Sequence, residues 1–108
     1  MLSTTTLESP LVWGVWNKGH PVTISDAELW RKDDCGAWIK RVDYENLESQ
    51  YGWVMGLIVP VSQGGRFSLE NLRPLQWQNV KRDEAGILVC SVTASSTENV
   101  RANDAALK

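Results

Sequence analysis

The longest near-continuous apolar run in the chain, residues 53–61, constrains its fold more than any other feature. It is far shorter than the roughly 20 apolar residues that a membrane-spanning helix needs. Pro60 has no backbone N–H to donate, so we expect a strand over residues 53–59 that ends before it. Such a strand is either buried on both faces or presents an exposed apolar patch, and the sequence leaves both alternatives open.

Length and charge limit the classes of protein to which the chain can belong. Its 108 residues, 43% of them apolar, suffice for one compact domain. The 11 basic and 13 acidic side chains give a formal net charge of −2, which lacks the basic footprint of a non-specific DNA binder. No positively charged start leads into an apolar stretch, so we expect a cytoplasmic protein without membrane association. Cys35 and Cys90 have no Cys-x-x-Cys spacing, and we expect two separate thiols in a reducing compartment.

Composition divides the chain into a flexible leader, residues 1–10, an ordered domain, residues 11–93, and a flexible tail, residues 94–108. Within the domain, the pattern of apolar and turn-forming residues predicts several short elements besides the strand at 53–59. These are a strand at 37–39, an extended piece at 71–75, a helical turn or two at 76–82 and a closing strand at 87–93.

A capping-box pattern precedes the first predicted helix. Ser25 is placed to accept a hydrogen bond from a free backbone N–H, and Glu28 to reach back to the cap. The pattern predicts a short helix that ends near Lys32, with Trp30 as its buried anchor. Because the six tryptophans lie in apolar or motif contexts, we expect core packing rather than base stacking for most of them.

Several separately spaced motifs resemble one family. The run Gly52-Trp-Val-Met-Gly-Leu-Ile-Val-Pro-Val-Ser-Gln-Gly-Gly65, followed by Leu69-Glu-Asn-Leu-Arg-Pro-Leu-Gln-Trp77, is similar to the core of HNH endonucleases. The segments Trp30-Arg-Lys-Asp33 and Cys35-Gly-Ala-Trp-Ile39 resemble a subgroup of short bacterial and phage HNH proteins. Over residues 13–82, the resemblance implies an α+β, HNH-like domain of the ββα-metal type, with short additional elements at both ends.

The residues that would bind metal and cut nucleic acid are replaced. Active relatives carry Asp-His on the first strand, the Asp for the metal and the His as general base, where this chain has Gly56 and Leu57. The last ligand falls on Val80, or on Asn79 if the register shifts by one. The family's central Asn, which ties loop to strand, is matched by Asn71. We therefore expect no catalytic residue, no bound metal and no cofactor.

The resemblance and the lost ligands together lead to a non-catalytic, protein-binding inhibitor or regulator, in a setting of phage or mobile elements. If the backbone is unchanged, the former active strand presents apolar side chains to a partner, namely Val54, Met55 and Leu57.

Two alternatives stay open. The first is a DNA- or RNA-binding domain without chemistry, whose phosphate contacts would be Arg31, Lys32, Lys40, Arg41, Lys81 and Arg82, although interleaved acidic residues dilute their field. The second is an active endonuclease with an atypical ligand set drawn from His20, Asp33, Asp34 and Asn79. His20, the sole histidine, lies in a Gly-His-Pro turn and is expected to be a surface residue.

Overall fold

The computed structural model describes residues 9–23 and 25–103. They form a small α+β domain with one short helix, three 3₁₀ turns and nine short strands. In chain order the helix and strands are α1 (Pro10–Trp16), β1 (His20–Pro21), β2 (Trp30–Lys32), β3 (Trp38–Lys40), β4 (Trp53–Leu57), β5 (Leu72–Gln76), β6 (Lys81–Arg82), β7 (Leu88–Val89), β8 (Val92–Ser95) and β9 (Glu98–Arg101). All pairings between these strands are antiparallel.

Helix α1 supplies one side of the core. The Ser9 hydroxyl accepts the N–H of Leu11 at 3.1 Å, and Pro10 takes the first helical position, where no N–H is needed. The helix thus begins at the last residue of the segment that we predicted as a leader. Its buried Trp16 meets Trp53 of β4 with ring centroids 5.3 Å apart. Around this pair the core is completed by Val12, Val15, Ile39 and Leu72.

The helix predicted from Ser25 to about Lys32 is absent. Asp26 supports only a single turn, in which its carboxylate accepts the Glu28 N–H and its carbonyl the Trp30 N–H. The chain then enters β2, the central strand of the three-stranded sheet β1-β2-β3. Pairing with β3 satisfies the backbone N–H and C=O groups that a longer helix would have paired internally. The non-local strand pairing therefore overrides the local capping pattern.

The chain contains two turns of the same construction. In the β2–β3 turn the Asp33 carboxylate accepts the N–H groups of Cys35 and Ala37, and Gly36 adopts φ 80°. In the β6–β7 turn Asp83 accepts the N–H groups two and four residues ahead in the same way, and Gly86 adopts φ 83°. Glycine tolerates this left-handed conformation, so the repeated Asp-x-x-Gly pattern produces two similar hairpins.

The strands at the centre of the resemblance are present, but the helix predicted after them is not. β4 and β5 pair from Trp53 opposite Gln76 to Leu57 opposite Leu72. The predicted helix at 76–82 is wrong: β5 extends to Gln76, and Lys81–Arg82 form β6. The cause is tertiary, because the buried Asp33 carboxylate accepts the Gln76 N–H at 2.8 Å and the next hairpin begins at once. A ββα unit is therefore not found in this part of the described chain.

The C-terminal part holds more strand than the sequence indicated. Instead of one strand at 87–93 there are two, β7 and β8, separated by Cys90 and Ser91. β8 pairs with β9 in a hairpin that lies mostly within residues 94–108, for which we predicted no firm secondary structure. The Asn99 side chain joins this hairpin to β3, accepting the Trp38 N–H at 2.7 Å and donating to the Trp38 carbonyl at 2.9 Å.

The two cysteines, which we expected as separate thiols, form a disulfide. It joins Cys35 in the β2–β3 turn to Cys90 before β8, with Cα atoms 5.5 Å apart. A disulfide is typical of oxidising compartments, so it opposes the expectation of a reducing, cytoplasmic location, which stays a prediction. No helix in the described residues has the length and apolar character needed to cross a membrane.

Candidate functional site

The loop between β4 and β5 is closed by a single side chain. The Asn71 amide oxygen accepts the Val59 N–H at 2.8 Å, while its amide nitrogen donates to the carbonyls of Val59 and Arg66, both at 2.9 Å. Gly65 lies against the same point, where a Cβ would stand 1.7 Å from the Val59 carbonyl oxygen. Asn71 therefore ties the loop to the end of β4, and the loop holds its shape only with glycine at position 65.

The three positions that the resemblance singles out come together. The adjacent residues Gly56 and Leu57 and the distant Val80 line one cavity of about 270 Å³. The other lining residues are Met55, Pro60, Leu75, Arg82 and Leu88. Such a volume is just below the roughly 300–1,000 Å³ of sites that hold a whole small-molecule ligand. The cavity suits one apolar side chain or a similar small group.

The lining of this cavity does not fit a divalent metal. Of the described residues that line it, only Arg82, a cation, is ionisable, and these residues offer no carboxylate, imidazole or thiolate. More widely, no three His, Cys, Asp or Glu side chains in residues 9–23 and 25–103 are grouped as metal ligands would be. The metal implied by the HNH resemblance therefore has no donors at this place.

Leu75 fills the space that a side chain at position 56 would need. A Cβ on Gly56 would lie 2.5 Å from the Leu75 Cδ1 atom. Leu75 is itself buried, so it has little room to move away. A glycine on β4 and a leucine on β5 therefore pack closely together at this wall of the cavity.

Arg82 serves the structure and is not free to bind phosphate. Its guanidinium donates to the carbonyl of Leu57, to that of Ile58 at 3.4 Å and to that of Gly86 at 2.8 Å. These bonds hold the β6–β7 hairpin beside the end of β4 and so form one wall of the cavity. No local sequence pattern indicated this role, because the Leu57 and Ile58 carbonyls lie more than 20 residues away from Arg82 in the sequence.

Apolar side chains are exposed on the two segments that flank the cavity, residues 58–61 and 80–89. After Trp53, strand β4 is half-buried, and Ile58 and Val59 beyond it are exposed, so the apolar run is neither buried throughout nor fully presented. Of the proposed docking residues, Met55 and Leu57 line the cavity, whereas Val54 pairs with Leu75 and does not. The exposed set on these segments is Ile58, Val59, Val61, Val80, Ile87 and Val89.

Two of the alternative ligands, Asp33 and Asn79, are buried and occupied with structural hydrogen bonds. One Asp33 oxygen accepts two N–H groups of its own turn, and the other accepts from the Gln76 N–H and from the Asn79 amide at 3.0 Å. Burial raises the pKa of Asp33, against the opposing effect of these four hydrogen bonds. With every lone-pair direction of the carboxylate used, Asp33 has none left for a metal.

The other two alternative ligands lie in a surface cluster. His20 Nε2 is 2.7 Å from Asp34 Oδ1, and Arg73 Nη1 is 3.0 Å from Asp34 Oδ2. Partial burial by itself would raise the pKa of Asp34, but hydrogen bonds and charge from His20 and Arg73 together lower it below its usual value. None of these three residues lines the cavity, so the atypical ligand set is not assembled there.

The predicted phosphate contacts do not form one stripe. The Arg31 guanidinium donates to the carbonyls of Asn17, Gly19 and Ala27, and Arg41 donates to the Glu28 carbonyl and stacks over Trp13. Both are thus engaged in the structure. Lys32 and Lys40 share one face of the β1-β2-β3 sheet, whereas Lys81 lies on the separate β6–β7 hairpin.

Two of the six tryptophans are fully buried, and the other four are half-buried. Trp16 and Trp53 are fully buried, as expected of core residues, but the expectation fails for Trp30 and Trp38. These two are half-buried and, with Ser25, Tyr51 and Thr97, line a second cavity of about 300 Å³. The sequence could have indicated this shared surface. Trp30 and Lys32 are two residues apart, as are Trp38 and Lys40, and alternate residues of a strand share a face.

The chain matches no protein-family model, no curated protein and no solved structure. Its candidate sites are therefore defined by its own residues alone.

Proposed function

We propose that the protein is a catalytically inactive, HNH-like binding domain that docks a protein partner at the cavity formed by Gly56, Leu57 and Val80. The observation that carries the proposal is the convergence of these three positions on one apolar cavity. Where the resemblance requires a metal ligand, a base and a second ligand, the chain has residues that neither coordinate a cation nor move a proton.

The surroundings of the cavity support a protein as the occupant. Exposed valines and isoleucines on the loop after β4 and on the β6–β7 hairpin flank the opening. Interfaces between proteins have an apolar centre from which charged residues are largely excluded. The one charged lining residue, Arg82, has its guanidinium engaged with backbone carbonyls, so the cavity itself offers a partner mainly apolar contacts. An aliphatic or aromatic side chain of the partner is the expected anchor in the cavity.

The test compares charge substitutions inside and outside the site. Val80→Asp places a carboxylate at a lining position that is 48% exposed and therefore tolerant of the change. Val42→Asp is the matched control, since Val42 is 43% exposed and does not line the cavity. We expect affinity capture from the source cell to recover a protein with the native chain and with Val42→Asp, and to lose it with Val80→Asp and with Leu57→Asp.

Either of two results would contradict the proposal. One is recovery of the same proteins by the native chain and by both cavity variants. The other is capture of nothing above background by the native chain. Circular dichroism of each variant ensures that a lost partner reflects the surface and not an unfolded chain.

A further inference from the structure

The sheet β1-β2-β3 carries an alternating pattern of tryptophan and lysine on one face. In the β2–β3 register Trp30 stands opposite Lys40, and Lys32 stands opposite Trp38. Residues two apart on a strand share a face, so these four side chains lie together on it. The intervening pair, Arg31 and Ile39, belongs to the other face, where Ile39 is part of the core. We call the four residues Trp30, Lys32, Trp38 and Lys40 the Trp/Lys face.

The aromatic rings at this face are held in fixed positions around the 300 Å³ cavity. Trp30 meets Trp38 edge-on at a centroid distance of 6.1 Å and Tyr51 edge-on at 4.9 Å. The Trp38 indole N–H donates to the Ser96 carbonyl and the Tyr51 hydroxyl to the Thr97 carbonyl, each at 2.7 Å. The polar groups of Trp38 and Tyr51 are thus satisfied within the protein, and the aromatic surface that lines the cavity is available to a planar apolar ligand.

Two ammonium groups accompany the rings. Lys32 Nζ lies 4.9 Å from the Trp38 ring centroid, and Lys40 Nζ lies 5.5 Å from that of Trp30. In the part of the chain that the structure describes, neither lysine forms a salt bridge. Among the residues that the structure describes, no acidic side chain lines the adjoining cavity. The face therefore presents positive charge next to aromatic surface, although the whole chain has a net charge of −2.

This combination favours one ligand chemistry over others. A cationic ligand would be repelled by two ammonium groups already placed over the rings. A neutral sugar or a proline-rich peptide would stack on the rings but make no use of the charges. A nucleotide uses both, because its base stacks on an aromatic ring while its phosphate meets a lysine. A duplex is disfavoured, since its bases are already stacked on one another and cannot reach the rings.

We propose that the Trp/Lys face binds single-stranded nucleic acid, with bases stacked on Trp30 and Trp38 and phosphates at Lys32 and Lys40. The inference concerns a different surface from the apolar cavity and is independent of the proposed protein partner. Contact through rings and ammonium groups reads no base edges, so binding tolerates different sequences.

The test measures anisotropy of a fluorescent oligo(dT) of about 15 nucleotides, a length that spans the site size of comparable single-strand binders. The native chain is expected to bind it more tightly than a duplex of equal length. Trp38→Ala is expected to weaken binding about 5- to 150-fold, the range found when a stacking aromatic is removed, and Trp38→Phe to retain most of it. Trp30→Ala serves as a second stacking variant if Trp38→Ala unfolds.

Salt dependence separates the charge contribution. Replacing both Lys32 and Lys40 with Gln is expected to reduce the slope of log K against log salt by about 1.4, at about 0.7 per phosphate contact. Lys81→Gln is the matched control, because Lys81 is exposed on another hairpin, and it should leave the slope unchanged. Val80→Asp should also bind the oligonucleotide normally, which keeps this result distinct from that for the protein partner.

Three results would overturn the inference. The first is no saturable binding by the native chain at low ionic strength. The second is binding that the tryptophan and lysine variants leave unchanged, which would mark non-specific association elsewhere on the surface. The third is a preference for the duplex over the single strand, or binding of a proline-rich peptide or an oligosaccharide in place of the oligonucleotide.

Discussion

Removal of the Asn79 side chain should strongly destabilise the fold. Asn79 is completely buried, and its amide donates to the Val92 carbonyl at 3.0 Å while its oxygen accepts the Val92 N–H at 2.8 Å, as a neighbouring strand would. Asn79→Ala orphans these two backbone groups of a buried residue. At about 1–3 kcal/mol for each, the expected loss is about 2–6 kcal/mol, a large part of the roughly 5–15 kcal/mol that stabilises a domain.

Urea unfolding followed by tryptophan fluorescence measures this loss, because the buried Trp16 and Trp53 report on the core. Asn79→Asp provides a second variant with a distinct signature. The new carboxylate can still accept the Val92 N–H. It also replaces the amide nitrogen that donates to the Asp33 carboxylate at 3.0 Å, so two carboxylates face each other at about that distance. Two buried carboxyls at this distance cannot both ionise, so the folded-state pKa of one rises above its unfolded value.

The sign of the pH effect follows from that shift. In the folded Asn79→Asp variant, one of the two carboxyls keeps a proton that the unfolded chain releases near pH 4. The free energy of unfolding of this variant therefore falls as the pH rises from about 4 through the raised pKa. Lowering the pH should therefore restore more of the stability of Asn79→Asp than of Asn79→Ala, in which Asp33 loses one hydrogen bond but meets no second carboxyl. A loss below about 1 kcal/mol in Asn79→Ala, or identical pH profiles for the two variants, would refute this account of the buried network.

Two further predictions concern the disulfide and the proposed lack of nuclease activity. Reducing the disulfide, which spans 55 residues, should lower the free energy of unfolding by up to about 4 kcal/mol, measured by urea titration with and without reductant, and an unchanged midpoint would mean that the bond adds nothing. The native chain should fail to nick plasmid DNA with magnesium, manganese, nickel or zinc, and cleavage that survives repurification would contradict its inactivity. A variant meant to rebuild the site needs space as well as ligands, so it combines Gly56→Asp, Leu57→His, Leu75→Ala and Val80→His.

The features that sequence reasoning located are those with short-range causes. The strand from Trp53 follows from an apolar run ended by Pro60, and the extended piece after Asn71 follows from its spacing. Of the cavity, the sequence named Met55, Gly56, Leu57 and Val80. It did not name the residues on β5 and β7, because their presence there depends on pairings that no local pattern encodes.

The wrong elements have one common cause. The capping box at Ser25 and the polar segment at 76–82 are acceptable helix signals, but each segment has a partner elsewhere that satisfies its backbone better. The segment after Ser25 continues into β2, which pairs with β3. At the start of the 76–82 segment, the Gln76 N–H donates to the Asp33 carboxylate. The tail looked unstructured because its small polar residues carry little pattern, yet hairpin pairing and the Asn99 amide organise it.

The sequence by itself determined that these 108 residues suffice for one compact domain, and that Gly56, Leu57 and Val80 have no chemistry for coordinating a metal or moving a proton. These conclusions follow from chain length and from the side chains themselves. Only the tertiary structure decided that the three positions line one apolar cavity, that the two cysteines are joined and that Trp30 and Trp38 share a face with two lysines. The physical reason is that strand register and hairpin packing depend on contacts between residues distant in sequence, which composition and periodicity do not encode.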